Sequence, residues 1–198
     1  MKRSIWLAGG LVVVVVAGLM LWEQEPQAGG GRETSAGGGS QPMENLGEMD
    51  PEQLAAEQLA ANRAVLEEIG EAPFEGPITE RPAFVSHLEW QVLKNVAQQH
   101  PNPEQEMTRL VNHLRFAKQW DLWQETDPQD VTRHRALAEQ LLEEIPSRVS
   151  NQELDPAYAQ QMQQTLLTAL IPDAGERRQR AAKEAARIGV QFRVEGGS

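Results

Sequence analysis

From residue 50 onward apolar positions recur with a helical period, and each apolar run opens and closes on a boundary residue. Over 128–145, Val131, His134, Ala138, Leu141 and Ile145 step by threes and fours, with Leu137 and Leu142 beside them. Over 103–124, Met107, Leu110, Val111, Leu114 and Ala117 keep the same rhythm, which lays one apolar stripe along a helix. Four starts are written as an acceptor followed by proline: Asp50-Pro51, Asn102-Pro103, Asp127-Pro128 and Asp155-Pro156. Proline at the first helical position sacrifices no bond, and the capping oxygen satisfies an amide one turn in. Ser86-His87-Leu88-Glu89 is a capping box with Val85 and Trp90 at the staple positions, and Asp173 precedes a sixth start. Gly70, Pro101, Pro146, Pro172 and Gly189 are the expected stops.

The pattern predicts helices over 51–69, 87–100, 103–124, 128–145, 156–171 and 174–188, with no strand-like alternation before residue 188. Short connections favour antiparallel neighbours, so the expected fold is all-α, a small helical bundle or orthogonal array of about six helices. One connection is long: over 71–85, Pro73, Pro77 and Pro82 enforce an extended path. The uneven spacing of the acceptor-proline starts argues against a solenoid.

The first 49 residues follow another pattern. Lys2 and Arg3 precede a charge-free run from Ile5 to Trp22 that includes five consecutive valines. At 1.5 Å per residue such a helix is about 27 Å long, enough for a bilayer core. Trp6 and Trp22 stand at its two ends, and Glu23 and Glu25 follow. The positive-inside rule leaves residues 1–4 in the cytoplasm and the remainder outside. The competing reading, a cleaved signal peptide, lacks a small-x-small cleavage site. Residues 23–49 hold two Gly triplets and almost nothing apolar, a flexible linker with a root-mean-square reach of about 30 Å. The expected organisation is therefore a cytoplasmic start (1–4), a transmembrane anchor (5–22), a linker (23–49) and a helical body (50–198). A bacterial inner-membrane location with a periplasmic body follows.

Composition narrows the chemistry. The 198 residues contain no Cys, which excludes disulfides, thiolate metal sites and a cysteine nucleophile. Net charge is −11, unsuited to nucleic acid, whose phosphates need a basic surface. The charge is uneven: residues 176–193 hold Arg177, Arg178, Arg180, Lys183, Arg187 and Arg193 against Glu176 and Glu184. That segment carries +4 and the remainder −15. An alanine-rich basic helix is either docked on the acidic body or offered to a partner, and Arg177, Arg178, Arg180, Lys183 and Arg187 are candidate partner contacts. After Gly189 the tail Val190-Gln191-Phe192-Arg193-Val194 alternates, as a strand added to a partner's sheet would.

Aromatic residues concentrate between Phe74 and Trp123. Trp90, Phe116, Trp120 and Trp123 form either the main core or an exposed patch for a partner, since aromatic anchors dominate interfaces. His113 reads as a packing histidine beside the apolar stripe. Glu67-Glu68 and Glu143-Glu144 read as solvated charges near helix ends. Asp130 and His134, four residues apart, share a face that suits a metal, although Arg133 and Arg135 beside them favour a structural ion pair. No hydrolase, zincin or dinucleotide motif is present. No catalytic residue, metal ligand or cofactor is expected.

The stretch Arg81-Pro-Ala-Phe-Val-Ser-His-Leu-Glu-Trp-Gln-Val-Leu-Lys, followed by Met107-Thr-Arg-Leu-Val-Asn-His-Leu-Arg-Phe, resembles proteobacterial envelope accessory proteins, in particular those accompanying secreted phospholipase C. The layout of short start, anchor, spacer and helical body resembles the steric chaperones of secreted lipases. The chain departs from them: their Arg-x-x-Phe-Asp-Tyr motif is missing, since Arg115-Phe116 leads into Ala-Lys-Gln-Trp. No residue role is carried over. The resemblance implies an accessory protein, chaperone or assembly factor, that binds an exported client such as a secreted lipase or phospholipase. Two other readings stay open. One is a self-associating structural component of an envelope or secretion apparatus; the other is a metal-dependent hydrolase built on Asp130 and His134.

Overall fold

The computed structural model describes residues 50–189. The anchor assigned to 5–22, the linker over 23–49 and the tail from Val190 lie outside the described residues. These contain six α-helices and no strand: α1 (Pro51–Ala64), α2 (His87–Gln98), α3 (Pro103–Glu125), α4 (Val131–Ser150), α5 (Pro156–Leu170) and α6 (Ala174–Arg187). None of these helices is long and apolar enough to cross a membrane. From α2 to α6 each helix packs on the next in the chain, as short connections dictate. The largest apolar cluster joins Phe116 and Trp123 of α3, Leu137, Leu141 and Ile145 of α4, and Met162, Leu166 and Leu167 of α5. The stripes seen in the sequence are buried for Met107, Leu110, Val111 and Leu114 of α3 and for Ala138, Leu141 and Ile145 of α4, while Val131 at the start of α4 is exposed.

The caps explain most boundaries. Asp50 accepts from the Glu52 amide, Asp155 from Ala157 and Tyr158, and Asp173 from Glu176. Both halves of the Ser86–Glu89 capping box form. Three boundaries depart from expectation. The Asp127-Pro128 start is a turn instead: the Gln129 amide donates to Asp127 Oδ1 at 2.9 Å, and Asp130 caps α4 three residues later. The first helix tightens at Val65 into a 3-10 turn (Val65–Glu68), whose last carbonyl accepts from the side chains of Gln119 and Gln140.

The third departure is Pro146, expected to stop α4 at residue 145; the helix instead runs on to Ser150. The added turn brings Arg148 beside Glu144, both buried. It ends in a Schellman closure, with the Glu153 amide donating to Arg148 O at 2.8 Å and that of Gln152 to Val149 O at 3.0 Å. Gln152 occupies the left-handed position at φ 60° where glycine is usual. This closure swings Glu153 back beneath α3.

Residues 71–85 form the extended arm that the prolines predict. Phe84 and Val85 anchor its far end in the interior. Arg81 donates to Val85 O at 2.6 Å and faces Glu57 of α1 at 3.5 Å.

Candidate functional site: a polar cleft along α3

One face of α3 is apolar, and another carries Thr108, Asn112, Arg115 and Gln119, spaced by four, three and four residues. A helix stacks such positions into one row, and here the row lies against main-chain atoms of the chain from Glu68 to Gly76, in antiparallel order. Thr108 Oγ1 donates to Gly76 O at 2.7 Å. The Asn112 amide clasps Phe74 from both sides, accepting from its N–H at 2.9 Å and donating to its carbonyl at 3.0 Å. Arg115 Nη1 donates to Ala72 O at 2.8 Å and Gln119 Nε2 to Glu68 O at 3.2 Å. Between Glu71 and Pro77 only Phe74 is partly buried; the other six residues are exposed.

Where the arm leaves this row, a cleft of about 580 Å³ opens. Gly76 and Pro77 form one wall, Glu104 to Asn112 of α3 the opposite wall, and Arg148 and Asn151 the end of α4; His100 stands at the rim. Its one lining hydroxyl, on Thr108, is already donated to Gly76 O.

Beneath the cleft runs a chain of buried charges. The Glu153 side chain is fully inaccessible and receives Arg148 Nη1 at 2.8 Å and Arg109 Nη1 at 3.1 Å. His113 Nδ1 lies 3.4 Å from the same carboxylate, long for a hydrogen bond. Arg109 also grips Glu106 through two nitrogens, at 2.8 and 2.5 Å. Arg148 approaches Glu144 at 3.8 Å, and Glu144 takes Arg115 Nη2 at 2.7 Å. Arg115, with no exposed surface, then reaches the arm carbonyls, its guanidinium 6.0 Å from the Phe74 ring centroid. Cleft floor and arm therefore share one ionic chain.

Each shift in this chain has a cause. The Arg109 hydrogen bond holds the Glu106 carboxyl below its ordinary value, against the opposing effect of burial. Burial pushes Glu153 upward, but His113, Arg148 and Arg109 together outweigh it and leave the carboxyl lowered. Burial raises Glu68, which Arg115 only partly offsets.

The residues singled out in the sequence are placed elsewhere. Phe116 and Trp123 belong to the interior, Trp123 at 6 % exposure, so as partner anchors they are corrected to core residues. The physical reason is that α3 is buried on more than one face: about half a turn round from the stripe of Met107, Leu110 and Leu114, Phe116 and Trp123 pack into the cluster shared with α4 and α5. Trp120 is half-buried and stacks on Trp123, ring centroids 5.3 Å apart. Trp90 is half-buried on α2.

In α6, Arg180 and Arg187 both turn inward to the buried Glu184, at 2.5 and 2.8 Å, and reach Glu139 and Glu143 of α4. Gln163 of α5 donates to Glu184 O at 3.1 Å. The basic helix is docked on the body. Arg177 donates to Ile171 O and Arg178 to Ala174 O. Lys183 is exposed, with no ion pair among the described residues.

Asp130 is the α4 cap and lies 3.6 Å from Arg133, while His134 packs on Trp123 with centroids 4.8 Å apart. No ion pair joins the two, and no group of three metal-ligating side chains occurs among the described residues. Glu144, expected as a solvated charge, is buried; its neighbour Glu143 is the exposed one.

Sequence reading missed Arg109, Asn112, Arg115, Arg148 and Glu153. The spacing of Glu106 to Arg109 and of Glu144 to Arg148 signals local pairs, but surface pairs have the same spacing. No protein-family model, characterised protein or solved structure matches the chain.

Proposed function

We propose that this chain is a membrane-anchored accessory protein whose helical body stands outside the bacterial inner membrane and binds an exported polypeptide client. The apolar run 5–22 is its bilayer anchor, residues 1–4 remain cytoplasmic, and the linker 23–49 gives the periplasmic body its reach. The observation that carries the binding role is the cleft on α3, continuous with a row of side chains that already holds an extended main chain. Side-chain amide, guanidinium and hydroxyl donors arranged at helical spacing are chemistry for holding a polypeptide. The cleft's arginines are engaged by Glu106, Glu153 and Glu144, which supports a scaffold for docking over a reaction centre. A secreted lipase or phospholipase is the client class that the sequence resemblance favours.

Site-specific photo-crosslinking in intact cells tests the reading. A photoreactive residue replacing Gln105, on the cleft wall, is expected to give a discrete protein adduct with the full-length chain. The same group at Gln179, an exposed position of α6, is expected to give none. Identical adducts from both positions, or none from Gln105, would contradict client binding in the cleft.

A further inference from the structure

We infer that the groove along α3 recognises the main chain of an extended, proline-containing polypeptide segment, and that residues 71–77 occupy it as a built-in ligand which such a segment displaces. This deepens the client-binding reading and rests on it.

The contacts themselves identify the ligand class. Thr108, Asn112 and Arg115 address carbonyl oxygens and one amide of the arm, and no arm side chain takes part in those bonds. Asn112 satisfies both the donor and the acceptor of Phe74, a pairing that any residue except proline offers at that register. Arg115 sharpens the requirement. Its guanidinium is fully buried and aimed at Ala72 O. With the arm gone, Arg115 would lose the carbonyls of Glu71 and Ala72 while keeping the Glu144 carboxylate, which leaves donors that another main-chain carbonyl can take up. The site therefore favours replacement of one main chain by another.

The arm is suited to leave. Pro73 biases Ala72 toward extended geometry and Pro77 fixes its own φ, so these positions lose less entropy on binding, and a proline-containing competitor shares that advantage; Gly76 between them turns at φ 78°. Its side chains add little hold, with one half-buried ring and exposed residues on either side. The flanks are firm: Gln140 grips Gly70 N at 2.8 Å, and Phe84 and Val85 are fully buried. Segments with few buried contacts open locally while the core stays folded. The cleft beyond Pro77 also gives a longer segment room that the arm leaves unfilled.

Two measurements on the full-length chain in detergent micelles test this. Native-state hydrogen exchange reads the Phe74 amide directly. Exchange faster than that of the α3 interior amides is expected, and exchange only at the rate of global unfolding would overturn the proposal. The second uses a labelled peptide with the sequence of residues 69–79, followed by fluorescence anisotropy. Phe74→Ala weakens the internal competitor, so the peptide should bind this variant about tenfold more tightly than the unmodified chain. Adding Asn112→Ala should abolish that gain, and replacing the peptide residue equivalent to Glu75 by Ala should leave binding unchanged.

Equal binding to the unmodified and Phe74→Ala chains would overturn the exchange. If Phe74→Ala does not fold, Gly76→Ala, which strains the arm at φ 78° and leaves the groove side chains intact, substitutes for it with the same expected direction. A Gln105 adduct without peptide exchange would overturn this inference and leave client binding standing. Peptide exchange without an adduct would support the groove chemistry and contradict the cellular role.

Discussion

At the residue scale, Glu153 carries the most consequence. A carboxylate with no exposed surface and two guanidinium partners is stabilising only while both sides remain. Removing one partner of a buried pair costs about 3–5 kcal/mol because the other charge is stranded. Glu153→Gln, which keeps the shape, is expected to cost about 3 kcal/mol in urea unfolding followed by tryptophan fluorescence. The lowered carboxyls of Glu106 and Glu153 give the pH dependence its sign. The unfolded chain binds protons there first, so their stabilisation is complete above the ordinary carboxylate range. It is lost as pH falls below about 4.3 and through the folded values. Burial raises Glu68 and Asp121, and these gain on acidification, which opposes that loss. Glu153→Gln should reduce the acid loss; an unchanged slope would count against its role.

The tryptophans divide at the same scale. Trp123 is buried and Trp120 half-buried. Trp123→Ala is expected to cost about 3–5 kcal/mol through the cavity it leaves. Trp120→Ala should cost less than half of that and leave the circular dichroism unchanged. Equal losses would show that the exposed face of Trp120 packs as fully as a core residue.

At the element scale, helix starts obey local chemistry and one helix end defies it. A capping box or an Asp one residue before the first turn needs only its own neighbours, which is why the starts at Asp50, Ser86, Asp155 and Asp173 were legible. Pro146 is different. It supplies no amide to the helix ladder, yet α4 continues for a turn because Arg148 must reach Glu144 and Glu153. Pro146→Ala restores a hydrogen bond toward Leu142 O. The gain expected in thermal unfolding is about 1–2 kcal/mol, less than the full cost of an interior proline because proline also restricts the unfolded chain. Destabilisation would mean that the break in the ladder is required for the Glu153 closure.

At the scale of the whole molecule, the arm is the unusual component. It joins α1 to α2 while bonding along α3, so it ties together parts far apart in sequence. Asn112→Ala deletes two hydrogen bonds worth about 2 kcal/mol together, which raises the open population roughly thirtyfold. A glutamyl endopeptidase should then cut after Glu75 much faster while helicity is retained. Unchanged cleavage would show that the flanks alone hold the arm. The charge asymmetry also resolves at this scale. The basic helix α6 is docked, Arg180 and Arg187 being turned to Glu184 and to the acidic face of α4. Arg178 and Lys183 keep their exposure.

The sequence by itself determined what depends on near neighbours: the all-helical class, five of the six helix starts, the extended proline arm and most of the stripe positions that became core. Caps, proline geometry and helical periodicity act within a turn or two of the chain, so local residues suffice to specify them. Tertiary structure alone decided that Glu144 is buried while Glu143 is exposed. It also decided that Arg115 aims at the arm, and that Glu106, Arg109, Glu153 and Arg148 meet under one cleft. Those pairings join positions up to 44 residues apart. An arginine on a helix reads the same whether it reaches water or finds a buried carboxylate. Only the packed helices bring the partner into ion-pair distance and exclude the water that would otherwise take its place.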